Sequence, residues 1–193
     1  MASTYTPLGV ELQATGENAG TWGTKTNTNL QIIEQISGGF IQKSIAGGAQ
    51  TTALAVSDGS TGAELSHRMI EFTGTITGNQ IVTIPIDVQT FYILRNSTSG
   101  AYTVQFKYAT GSGSTFTFSA TNKGDRIVFA AANDGTNPDI ISVEPTGLTF
   151  KEQGTNFTNS LLVGNSTTGT LSSAEANTGV GISALDAITS GDS

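Results

Sequence analysis

The stretch YTVQFKYATGSGSTFTFSA, Tyr102–Ala120, decides the class of fold. Val104, Phe106 and Tyr108 alternate with Thr103, Gln105 and Lys107; Phe116 and Phe118 alternate with Thr115, Thr117 and Ser119. A period of two sends one set of side chains into a core and leaves the other in water, as in a half-buried β-strand. Outward from this stretch, MIEFTGTI (69–76), QIVTIPI (80–86), TFYILRN (90–96), RIVFAA (126–131) and DIISVEP (139–145) read as further strands, bounded by Gly, Asn, Asp or Pro clusters. RNSTSGAY (95–102) and ANDGTNPD (132–139) supply turn chemistry, with Gly for positive φ and Asx side chains that bond their own backbone. Strands at this spacing predict a central antiparallel β-sandwich or small barrel over residues 41–147. Pro85 has no amide hydrogen to donate to a ladder, so its strand is expected at a sheet edge.

Residues 1–40 read differently. GENAGTWG (16–23) is turn-rich, with Gly16, Gly20 and Gly23. Thr26 or Asn27 then offers an N-cap, and Leu30, Ile33 and Ile36 recur every third residue, with Ile32 and Phe40 nearby. This predicts a helix of about three turns, ended by Gly38 and Gly39 in a left-handed cap. So short a helix is marginal alone and must dock on something.

Residues 148–193 hold few large apolar side chains and a tandem echo: NSLLVGNSTTGTLSS (159–173), then NTGVGISALDAITSG (177–191). The period is about 17–18 residues, and a unit of that size must stack on its neighbours or on other chains to bury anything. The chain ends on this unit, so it is expected to be the front of a longer one or to be completed by neighbouring chains.

The chain of 193 residues is 36% hydrophobic and only 12% charged, against about 25% charged for an average domain. Thr, Ser, Asn and 24 Gly take the place of charge. Net charge is −7 with no Lys/Arg cluster, so no nucleic-acid partner and no basic membrane contact is expected. No apolar run reaches the roughly 20 residues of a membrane helix, so no membrane insertion is expected. The absence of Cys excludes disulfides, thiol chemistry and thiolate zinc sites, and makes oligomerisation the expected source of added stability.

Three stretches carry a resemblance. GENAGTWGTKTNTNLQIIEQ (16–35) resembles the G-x-x-x-G-T-W-G-x-x-T-N-x-N signature of phage tail-fiber and tail-associated virion proteins, notably of marine phages. MIEFTGTITGNQIVTIP (69–85) and FYILRNSTSGAYTVQFK (91–107) look like the β-domain that often follows it. NTGVGISALDAITSGDS (177–193) is similar to the repeats in the shafts of such fibers and of trimeric adhesins, with Gly179 where those repeats usually have Ala. The resemblance implies a homotrimer whose residues 1–40 anchor it to phage tail adaptor or nozzle proteins. It implies a region beyond 193 that meets the host cell surface, and a virion protein made in the host cytoplasm. Trp22, Leu30, Ile33 and Ile36 become the candidate anchoring or trimer-contact residues, and Val180, Ile182, Leu185 and Ile188 the candidate shaft contacts.

Catalysis has few candidates. His67, the sole His, lies beside Arg68 with no nucleophile motif and reads as a surface or strand-edge residue. SDGSTGAE (57–64) and NDGTNPD (133–139) cluster oxygen ligands around Gly, but neither has the carboxylate spacing of a calcium loop, and tight turns use the same residues. Asn96, Asn156 and Asn165 sit in sequons that a Thr- and Asn-rich chain produces by chance. No enzyme activity, metal or cofactor is expected. Two other readings stay open: a β-sandwich carbohydrate-binding module that recognises host glycan, with Tyr5, Trp22 and Tyr102 as stacking candidates, and a glycan-degrading tailspike, which needs a carboxylate pair. Trp22 itself either caps a local cluster with Leu12, Ile32 or Ile36 or inserts into the tail as an interface anchor.

Overall fold

The computed structural model of the chain describes residues 2–143 and, beyond them, the strand segments 150–154, 157–163, 173–175, 178–180 and 190–191. The fold is mainly β with one helix, in two compact units, Met1–Val143 and Glu144–Ser193. The first unit opens with a two-stranded hairpin, β1 (Thr4–Tyr5) and β2 (Glu11–Leu12), and then helix α1 (Trp22–Gly38). Strands β3 (Phe40–Ser44), β4 (Gln50–Ala53), β5 (Met69–Thr73), β6 (Gln80–Ile84), β7 (Thr90–Asn96) and β8 (Val104–Tyr108) follow. The unit closes with β9 (Phe116–Phe118), β10 (Gly124–Ala130) and β11 (Ile140–Ser142).

Consecutive strands from β3 to β8 belong alternately to two sheets. Strands β3, β5 and β7 pair in parallel in a five-stranded sheet of order β11-β10-β7-β5-β3; β4, β6 and β8 pair in parallel in a four-stranded sheet of order β4-β6-β8-β9. Each strand of one sheet is therefore part of the crossover that lets its neighbours in the other sheet run parallel, a connection that cannot be a tight hairpin. Only β8–β9, β7–β10 and β10–β11 pair antiparallel in this region. The expected antiparallel arrangement is thus corrected to mixed sheets. Alternation along a strand reports which face is buried; it does not report which strand lies alongside.

The corners between the sheets stack as well. Gly47 bridges Ile76 and Thr75 bridges Ser99, both in parallel. Gly100 (φ +100°) sits at such a corner, where a Cβ would strike the carbonyl oxygen of Ile76; a Cβ at Gly78 would strike the backbone of Ala49. The side-chain amide of Gln80, 1% exposed, donates to the carbonyls of Gly48 (2.7 Å) and Gly78 (2.8 Å) and staples one corner to the next.

Both sheets contribute to one core. Val104, Phe106, Tyr108 and Phe118 meet Ile70, Phe72, Tyr92, Leu94 and Val128 there, all buried. Tyr92 and Phe106 meet edge to face at 6.1 Å. The Tyr92 hydroxyl donates to Leu65 O (3.0 Å) and the Tyr108 hydroxyl to Val88 O (2.8 Å), so each phenol reaches a backbone acceptor inside the core. Burial pushes both phenol pKa values up. Full burial of each large apolar side chain contributes about 1.5–3 kcal/mol.

Several local expectations change. Helix α1 starts at Trp22, ahead of the predicted caps Thr26 and Asn27; Thr21 occupies the cap position without a side-chain cap bond. Gly39 ends the helix in an extended conformation (φ −66°), not the left-handed one, and still closes the last turn through its N–H to Gln35 O (2.7 Å). Pro85 does not mark an edge: β6 stops at Ile84 and lies between β4 and β8. His67 is buried (7% exposed), with Nδ1 2.7 Å from Ala63 O, and its ring together with the Gln35 backbone leaves less than 3 Å for a Cβ on Gly39.

In the second unit, β12 (Phe150–Gly154) pairs antiparallel with β13 (Phe157–Val163). Then β13 pairs in parallel with β14 (Ser173–Glu175) and β15 (Thr178–Val180), and β14 with β16 (Ser190–Gly191). Every parallel pair joins residues 17 apart in sequence, from Phe157↔Ala174 and Val163↔Val180 to Ser173↔Ser190. The described strand segments of the tandem echo therefore stack in register within one chain, at a constant offset of 17 residues. Of the candidate shaft contacts, Val180 lies on β15 opposite Val163; Ile182, Leu185 and Ile188 lie outside the described residues.

Candidate functional site

The TNTN run of the N-terminal segment (26–29) fixes helix α1 through a polar clamp. Asn29 Oδ1 accepts from the backbone N–H of Glu11 (2.9 Å), and Asn29 Nδ2 donates to the Glu11 carbonyl (2.8 Å). One side-chain amide thus imitates a neighbouring strand and ties the helix to β2. The Glu11 side chain is buried. Its Oε1 accepts from Asn18 Nδ2 (2.9 Å), and its Oε2 pairs with Lys25 Nζ at 3.2 Å, one helical turn before Asn29. Asn18 reaches this position from a left-handed conformation (φ 62°), which Asn tolerates better than most residues. The hydrogen bond from Asn18 holds the Glu11 carboxyl below its ordinary pKa, with Lys25 adding to the effect against desolvation.

With Lys25, Asn29 and the fully buried Ile32 turned inward, the adjoining face points out. Trp22 (65% exposed), Leu30 (59%) and Ile33 (47%) fall within an arc of roughly 80° at 100° per residue. Ile36, grouped with them by its spacing, is half-buried and belongs to the docked side. Trp22 and Leu12 (54%) are both largely exposed, and the indole lies outside the buried core. Spacing every third residue could not separate the docked face from the free one. Glu11, Asn18 and Asn29 escaped sequence reading altogether, and the only signal they left was the density of Asn around a single helix.

The oxygen-rich loops serve the fold. In 133–139, Asp139 accepts from Ser114 N–H (2.7 Å) and from Asn133 Nδ2 (2.8 Å), while Asn137 Oδ1 accepts from the Ser112 N–H and hydroxyl (each 2.9 Å). The Ser114 N–H lowers the Asp139 pKa. In 57–64, burial pushes the Glu64 carboxyl up, but the hydrogen bonds from Lys43 (2.7 Å) and the Ala55 N–H outweigh it and the net shift is down. Among the described residues, no three His, Asp or Glu side chains come together as a metal site.

A groove of about 660 Å³ lies between the N-terminal segment and the loops around it, lined by residues that include Tyr5, Pro7, Val56, Asp58, Pro85 and Asp87. The Tyr5 ring lies against Gly59 and is 38% exposed. Trp22 stands apart from this groove, and Tyr102 (38% exposed) does not line it.

No helix among the described residues is long and apolar enough to cross a membrane. Comparison of the chain with protein-family models, with curated proteins and with solved structures returns no match.

Proposed function

We propose that this chain is the proximal part of a homotrimeric phage tail fiber, a structural virion protein that mounts on the tail and carries host-recognition regions at its far end. The observation that carries the reading is the exposed stripe Trp22–Leu30–Ile33 on a helix whose other side is clamped by Glu11, Asn18, Lys25 and Asn29. A helix held by partly buried polar bonds while an indole and two aliphatic side chains face water is prepared to fill a hydrophobic socket, and aromatic residues lead such interface anchors. In this reading the two sheets with their shared core form the sandwich-like body behind the anchor, and the 17-residue repeat is the first part of a trimeric shaft.

The test is the number of copies of the chain per purified virion in the source virus. Trp22→Ala with Ile33→Ser should cut that number at least tenfold while the soluble protein keeps its circular dichroism spectrum and melting temperature. Unchanged occupancy would remove the helix as anchor, and absence of the wild-type chain from virions would remove the reading.

The groove at Tyr5 favours a second reading, a carbohydrate-binding module. A fixed aromatic ring next to Asp58, Asp87, Thr4 and Thr6 combines a stacking surface with hydroxyl-binding groups. Host-glycan binding that is lost in Tyr5→Ala and retained in Trp22→Ala would support it.

A further inference from the structure

The outward face of the five-stranded sheet carries two apolar rows that the register of the strands makes explicit. In the first, Phe40 of β3 pairs with Met69 of β5, Met69 with Ile93 of β7, and Ile93 with Ile127 of β10; Val143 continues the row by bonding its N–H to Ile127 O. In the second, Phe91 pairs with Phe129 and Phe129 with Ile141. These residues alternate with core residues such as Ile70, Tyr92, Leu94 and Val128, so they point away from the core. Phe40 (51%), Phe91 (46%), Ile127 (43%), Ile141 (48%) and Val143 (53%) are exposed. The next row on the same face is polar and already paired within the chain. Gln42 donates to Glu71 (2.7 Å), and Arg95 grips both oxygens of Asp125 (2.7 and 2.9 Å).

From these observations we infer that the two rows form a self-association surface, covered in solution by other copies of this chain. The inference rests on the homo-oligomer in the reading above and names the face that builds it.

Three features select a copy of the chain over another occupant. The first is area. The rows expose on the order of 500 Å² of apolar surface, at the upper end of the roughly 300–600 Å² of the largest patch on a typical monomer. With the flanking polar row this approaches the roughly 800 Å² per partner of a standard interface. The second is charge. The chain carries −7, yet the rows contain no carboxylate; the Arg68 guanidinium lies over the Phe91 ring (3.9 Å to its centroid), and in the flanking row Arg95 pairs with Asp125 while Glu71 is held by Gln42. An equally acidic partner meets least repulsion on this face, whereas a basic partner gains nothing from it. The third is shape. The first row spans the five strand positions of the sheet, about 19 Å at 4.8 Å per strand, and the second lies beside it on β7, β10 and β11, so the patch is at most two side chains wide. The rows run along the direction in which the parallel strands β3, β5 and β7 stack, so copies whose sheets lie face to face with that direction shared bring stripe against stripe.

The absence of Cys makes the test direct. Light scattering on the full chain should give a multiple of 19.8 kDa. Phe91→Ser with Ile127→Thr should weaken self-association at least roughly 100-fold, since central apolar anchors carry most of an interface. Single thiols test the same face without perturbing it. Ile127→Cys and Ile141→Cys, each the sole thiol, should give covalent oligomers with a short bis-maleimide, and Thr117→Cys on the opposite sheet should not. An assembled wild type whose stripe variants stay assembled, with no cross-linking at 127 or 141, would overturn this inference and leave the fiber reading intact. A wild type that is monomeric at high micromolar concentration would overturn both the inference and the trimer. A monomer in which the thiol at 127 resists labelling would show residues 144–193 to be the cover, which also overturns the inference.

Discussion

Asn29→Ala is the most informative single change in the N-terminal region. It removes one acceptor bond from the Glu11 N–H (2.9 Å) and one donor bond to the Glu11 carbonyl (2.8 Å), and the alanine methyl replaces neither. Alanine has the higher helix propensity, which returns roughly 0.5 kcal/mol. Each lost hydrogen bond costs about 0.5–1.5 kcal/mol, and more where the abandoned backbone group cannot reach water. Both bonds are partly buried, so the net expectation is a loss of about 1–2 kcal/mol. The loss should be local. The amide of Glu11 should lose hydrogen-exchange protection, while the amides of Phe72 and Phe106 in the core keep theirs. Urea titration checks the magnitude and exchange mass spectrometry checks the location. Asn29→Asp refines the test: it keeps an acceptor for the Glu11 N–H, loses the donor to the carbonyl, and places a second carboxylate near Glu11, so it should be no better tolerated than alanine. An Asn29→Ala protein with the wild-type urea midpoint and a protected Glu11 amide would refute the clamp and, with it, the reason the stripe faces outward.

Other outcomes follow from the same geometry. Gly100→Ala should destabilise by about 3 kcal/mol or more, because its methyl meets the Ile76 carbonyl and its φ of +100° is closed to Ala; a melting temperature within 2 °C of wild type would contradict the stacked corner. Trp22→Ala should leave the unfolding free energy from urea titration within about 0.5 kcal/mol of wild type, since the indole lies largely in solvent. Acid should destabilise the fold through Glu11. Its folded pKa lies below the ordinary 4.5, so its contribution is complete above that value and is lost as pH falls through the lower folded pKa. Glu11→Gln should therefore flatten the fall in urea midpoint between pH 5 and pH 3, and an unchanged slope would remove Glu11 as the cause.

The strands around the opening stretch were legible because their chemistry is local. Val104, Phe106 and Tyr108 alternate with polar residues, and all three are buried in the core. The pairing of Val163 with Val180 was legible for the same reason: a repeat that stacks in register leaves its period in the sequence, and here the period is the 17-residue offset of the parallel strands. Strands β3 and β4 were not identified, because FIQKS and QTTA offer four or five residues with little apolar content at the open edge of each sheet. The runs FYIL (91–94), RIVFA (126–130) and DIIS (139–142) held a signal that pointed beyond the core. They lack the polar alternate of the opening stretch because Phe91, Ile93, Ile127, Phe129 and Ile141 face outward while staying apolar.

What the sequence determined by itself was the composition of each surface: half-buried strands, one helix with apolar residues on more than one side, a stacked repeat, and no thiol and no basic face. The tertiary structure alone decided which strands lie side by side, because parallel and antiparallel partners ask for the same alternation within a strand. It also decided which helix face is free. That choice is made by Asn29 and Lys25 across distances of 18 and 14 residues to Glu11, and no periodicity within the helix encodes a bond to a strand that precedes it.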